Sequence, residues 1–153
     1  MRQALRPVAV LVALLTLAFS AYAFADKPER KSFVAVLSAA DEVPHCAPAG
    51  NGARGVAVFH VVDETTGLVR YKLVANNIPG DTTVAHIHIA PVGVAGPVVQ
   101  PLPFTAGEEN GVIGRGTFTN KELLDAIQAD PGAYYVNVHS TVCPAGVIRG
   151  QLK

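Results

Sequence analysis

From residue 32 onward the chain is a succession of short β-prone runs, each cut off by Gly, Pro, Asn or Asp, and that punctuation leaves room for strands and little else. "SFVAVLSA" (32–39), "GVAVFHVVD" (55–63), "LVRYKLVA" (68–75), "TTVAHIHIA" (82–90), "GPVVQPLPF" (96–104), "GVIGRGTFT" (111–119), "AYYVNVHST" (133–141) and "GVIRGQLK" (146–153) are the runs. In the third, Val69, Tyr71 and Leu73 alternate with Arg70 and Lys72, which gives one dry face and one wet face. The second and third flank "DETTG", whose Gly67 can take positive φ, so they read as a hairpin. Seven or eight strands at this spacing predict an all-β domain, a β-sandwich or flattened barrel.

One stretch departs from the strand pattern. In "TNKELLDAIQADPG" Thr119 is placed to cap a helix while Glu122 reaches back, and Leu123, Leu124 and Ile127 make a stripe at helical spacing. Asp130-Pro131-Gly132 ends it. The expectation is one short helix packed over an end of the sandwich, with core packing as its role.

The first 25 residues read as a secretory signal: Arg2 and Arg6 precede an apolar run from Val8 to Phe19, followed by Ala21-Tyr22-Ala23 and Ala23-Phe24-Ala25. A membrane anchor is the other reading, but about twelve apolar residues fall short of the roughly 20 that span a bilayer. Residues 26–153 then form one domain of about 128 residues, located in the periplasm or secreted, with no membrane span left after cleavage. Of 12 basic residues Arg2 and Arg6 leave with the signal, so 10 face 12 acidic ones. No basic tract or stripe in the sequence suggests nucleic acid as a partner.

Cys46 and Cys143 are the two cysteines, both in the exported part. An oxidising compartment favours their pairing over two free buried thiols. The bond would close a loop of nearly the whole domain, worth about 4 to 5 kcal/mol on the chain-entropy model.

The histidines carry the chemistry. In "AHIHIAPVGVAGPVV" (85–99) strand alternation puts Ile87 and Ile89 on one face and His86 and His88 on the other, about 6 to 7 Å apart along the strand. In "YYVNVHS", Val136 and Val138 share one face; Tyr135, Asn137 and His139 share the other. If these strands are neighbours, three nitrogens converge on the outer face. An all-imidazole trio leans toward copper, with zinc second; three exposed histidines in ordinary hydrogen-bonding roles are the alternative. His45 adjoins Cys46, and a disulfide to Cys143 would bring it near the strand of His139, so it is either a fourth ligand or a solvated loop residue. His60 has Val56 and Val58 on its own face and reads as a packing or interface histidine.

Other chemistries find less support. Ser140 follows His139 directly, and adjacent strand residues face apart, which rules out a nucleophile–base pair. "IPGDTT" and "APAGNGARG" lack the Walker lysine and serine. Glu108 and Glu109 sit in "AGEENG", where a solvated turn is the ordinary reading of two adjacent carboxylates.

Several pieces in the same order, "LSAADEVP", "ARGVAVFHV", "AHIHIAPVGVAGPVV", "NKELLDAIQAD", "YYVNVHS" and "GVIRGQL", make residues 33 to 152 resemble the CHRD (chordin-type) domain family. That resemblance implies a Greek-key β-sandwich or flattened barrel, Ig-like or superoxide-dismutase-like, of seven to eight strands with one short helix, and a biochemical role that is mostly unassigned. It carries over to His86, His88, Asn137 and His139. Both cysteines depart from the usual CHRD pattern, as partners would.

A weaker likeness runs to copper-zinc superoxide dismutase. "GLVRYKLVANNIPGDTTVAHIH" is similar to the strand leading into that family's His-x-His copper pair, and "VCPAGVIRG" to its C-terminal segment. It implies His86, His88 and His139 as copper ligands, while the loop with the bridging histidine and the zinc ligands is missing here. Fold analogy does not carry function.

Three functions follow as expectations. The first is an exported copper-binding protein for storage, delivery or protection, with Asn137 or Tyr135 fixing ring orientation. The second is a non-metal structural or interaction module of the cell envelope, with Val56 and Val58 forming a homodimer or partner surface. The third is a dismutase-like copper enzyme; the sequence leans against an enzyme.

Overall fold

The computed structural model describes residues 29–50, 52–104, 107 and 110–153. The apolar N-terminal run with its cleavage patterns, and Glu108 and Glu109, lie outside the described residues.

Among the described residues eight strands follow one another: β1 Ser32–Ser38, β2 Arg54–Asp63, β3 Leu68–Asn76, β4 Thr82–Ile89, β5 Val98–Leu102, β6 Gly111–Thr119, β7 Tyr134–Ser140 and β8 Ile148–Gln151. They form one antiparallel sheet in the order β5-β4-β7-β8-β1-β2-β3-β6. Its edge strands β5 and β6 touch, so the sheet curls into a nearly closed barrel. The chain crosses from β3 to β4 at the far side of the barrel, and β8 returns between β7 and β1. That return places β7, with His139, directly against β4, with His86 and His88.

Alternation decides which residues fill the barrel. In β2, Ala57, Phe59 and Val61 are buried while Val56, Val58 and His60 are exposed, so His60 stands on the outer face with Nδ1 3.3 Å from the Ser32 hydroxyl. β3 continues the pattern with Val69, Tyr71 and Leu73 inside. Phe59, Tyr71 and Phe118 form an aromatic cluster, with centroids 6.1 to 6.5 Å apart. At the β2–β3 turn Gly67 has φ 73°. A Cβ there would lie 2.4 Å from the Lys121 backbone, so both conformation and space require glycine.

Helix α1, Lys121–Ala129, buries Leu123, Leu124 and Ile127, as its stripe predicts. Leu124 and Ile127 close one end of the barrel beside Phe33, Phe59 and Phe118. The cap differs from the expectation. Thr119 is held in the β6 ladder opposite Leu68, and Asn120 is the N-cap, its side chain accepting from the Leu123 N–H at 3.0 Å.

The outer face that carries the histidines is largely covered. Every residue of β7 except His139 is buried, on both faces of the strand. His88 is 7% exposed, whereas Ile89, at the end of β4, is 38% exposed. The segment between β4 and β5 folds back over the outer face of β7 and β8 and covers it.

Candidate metal centre

The covering segment is held by main-chain carbonyls. Arg149, 1% exposed, donates from Nη1 to Val94 O at 2.7 Å and from Nη2 to Pro91 O at 2.9 Å. Gln151 Nε2 donates to Ala90 O at 2.9 Å and to Gly132 O at 2.8 Å. The Gly96 N–H donates to the Tyr135 hydroxyl at 3.0 Å. The arginine's charge makes its two bonds stronger than neutral ones, and its guanidinium lies 3.5 Å from the Tyr135 ring centroid.

Beside this strap His86, His88 and His139 meet. One nitrogen from each lies within 4.8 Å of the others, and the ring centroids are 5.2 to 6.3 Å apart. His88 Nδ1 is 2.9 Å from Gly96 O and His139 Nδ1 is 3.0 Å from Pro144 O. A carbonyl can only accept, so each Nδ1 carries the proton and each Nε2 is left with a lone pair. His88 Nε2 is buried without a hydrogen-bond partner among the described residues. His86 Nδ1 faces His139 Nε2 at 3.4 Å.

That arrangement fits a cation. Two imidazole nitrogens on one metal at about 2.0 to 2.1 Å are separated by roughly 3.3 to 3.6 Å in tetrahedral or trigonal geometry, and the His86–His139 edge already has that value. Burial holds all three imidazoles below the ordinary histidine range, and at His86 the neighbouring His139 and His88 add to the effect. Neutral rings bind a metal without first losing a proton.

The structure thus brings together the three histidines expected from the sequence. His45 stands apart from the group: it is exposed, and its Nδ1 donates to Ala39 O at 2.9 Å. Its neighbour Cys46 does form the disulfide with Cys143, next to the Pro144 carbonyl that orients His139. Tyr135 stacks on His88. Asn137 bonds elsewhere, its Nδ2 donating to Glu42 Oε1 at 3.3 Å, so carbonyls rather than Asn137 orient the rings.

Sequence reasoning missed Arg149 and Glu42. Glu42 is 4% exposed, and burial pushes its carboxyl up to about 7, against the opposing pull of the Val43 N–H and Arg149. Among the described residues, Glu42 Oε2 and Asn137 Oδ1 are both buried without a partner. The available signal was a charged side chain in each of two mostly apolar stretches, Arg149 in "GVIRGQL" and Glu42, beside Asp41, in "LSAADEVP".

A protein-family model described as the CHRD domain matches residues 33–152. No curated protein and no solved structure matches this chain.

Proposed function

The chain belongs to the CHRD domain family, and from that premise we propose that it is an exported copper-binding protein, periplasmic or secreted, acting in storage, delivery or protection. The observation that carries the reading is the convergence of His86, His88 and His139 within 4.8 Å, with a buried nitrogen on His88 that has no partner among the described residues. Three neutral imidazoles without thiolate or carboxylate favour copper, with zinc as the second choice. Bound copper would supply a redox-capable Lewis acid on the outer face of β4 and β7.

This chain's own residues bind and orient. The Gly96 and Pro144 carbonyls fix the rings of His88 and His139, the Tyr135 ring backs His88, and the strap limits access of water. The Cys46–Cys143 disulfide is compatible with an oxidising compartment, which supports the reading of residues 1–25 as a cleaved signal and 26–153 as the exported domain.

Metal analysis of protein purified from its native compartment tests the proposal. Copper equimolar with the parent chain, and absent from His88→Gln, is the expected result. Parent protein that carries no copper, or carries it equally after that change, contradicts it.

A further inference from the structure

The outer face of β1, β2, β3 and β6, away from His86, His88 and His139, shows an arrangement that metal binding leaves unused. The ladder registers place Val36, Val56, Val74 and Val112 in one row across four strands. The next row is Val34, Val58, Lys72 and Arg115, and Arg70 follows in the third. Val36 is 61% exposed, and Val34, Val56, Val58 and Val112 are exposed too. Strands about 4.8 Å apart and rows about 7 Å apart make a patch of roughly 14 by 14 Å.

Lys72 is directly opposite Arg115, and Arg70 is two residues along β3. Like charges so placed repel. None of the three forms an ion pair with a described residue, and the three rows contain no acidic side chain. Valines and unopposed cations therefore share one face.

We propose that this face docks on an anionic phospholipid surface, the valines against the headgroup boundary and Arg70, Lys72 and Arg115 on the phosphates. The chemistry selects this occupant. A second copy docked face to face would set cations against a surface equally devoid of acids. Single-stranded nucleic acid stacks on aromatic side chains, and the rows have none apart from His60. A small free anion would leave the valines unaccounted for. Acidic headgroups over an apolar layer match both halves of the patch.

Flotation with vesicles tests this independently of any metal. The protein is taken after export and processing, so that the N-terminal apolar run does not itself enter lipid. Parent protein is expected to float with vesicles of equal parts phosphatidylglycerol and phosphatidylcholine, to stay behind with phosphatidylcholine alone, and to be released at about 0.5 M salt. Lys72→Ala/Arg115→Ala should lower the partition coefficient about 25-fold, about fivefold per cation, and Val36→Ser/Val56→Ser should lower it as well, with circular dichroism unchanged in both. The proposal is overturned by parent protein that ignores anionic vesicles or binds both kinds equally, or by folded variants that partition like the parent. Self-association of the parent that is lost in Val58→Asp would assign the face to a second copy instead.

Discussion

The imidazole of His88 lies flat against the phenol ring of Tyr135, centroids 4.8 Å apart and planes 13° from parallel, and the same phenol ring carries the Arg149 guanidinium. One ring of the candidate site is thereby coupled to the arginine that fastens the strap. Arg149→Leu should remove both bonds to Pro91 and Val94 and leave their carbonyls to find other partners. The expected cost is about 3 kcal/mol in urea unfolding, together with weaker metal binding. Unchanged stability would mean that the strap is held without the arginine.

Glu42 gives a pH-dependent prediction. Its carboxyl is raised from 4.5 to about 7 in the folded chain, so the folded state binds the extra proton between those values. Stability from this group is fully present below about 4.5 and lost as pH rises through 7. Glu42→Gln keeps an acceptor for the Val43 and Asn137 donors and removes the titration. It should stabilise the protein at pH 8 by an amount on the order of 3 kcal/mol and leave it nearly unchanged at pH 4. A gain of equal size at both pH values would contradict the burial argument.

The three site histidines act in the opposite sense. Their folded pKa values lie below the unfolded value of 6.5, so on acidification the unfolded chain takes up protons first. Their contribution is intact above about 6.5 and declines as pH falls toward the folded values. In the Glu42→Gln background, metal-free protein should show a falling denaturation midpoint from pH 7.5 to 5. A flat profile would mean that the rings are not desolvated.

The disulfide between Cys46 and Cys143 spans 97 residues. On the chain-entropy model, Cys46→Ala/Cys143→Ala should cost about 4 kcal/mol, read as a shift in the denaturant midpoint. Because Cys143 precedes the carbonyl that orients His139, metal affinity should fall as well. Parent-like stability would show that the turn from Ser140 to Gly146 is held by its own hydrogen bonds.

Much of the fold was legible because Gly, Pro, Asn and Asp mark the strand ends and period two separates inside from outside. The helix stripe was equally plain, and its cap moved by a single residue because Thr119 was engaged in the sheet. The histidine trio was readable from alternation on two strands once those strands were neighbours. What covers the trio was not readable. Arg149 reaches back to carbonyls of Pro91 and Val94, and main-chain acceptors leave no trace in sequence. Burial of Glu42 depends in the same way on distant Asn137. The cationic cluster escaped notice because Lys72 and Arg115 are remote along the chain and meet only through the β3–β6 register.

Equilibrium titration of the metal-free protein with Cu(I), Cu(II) and Zn(II), alongside His86→Ala and His139→Ala, tests the central claim most directly. The account predicts one copper per parent chain, held more tightly than zinc, and loss of that site in either variant. Copper binding with unchanged stoichiometry and affinity after both substitutions, or no binding by the parent, would contradict it.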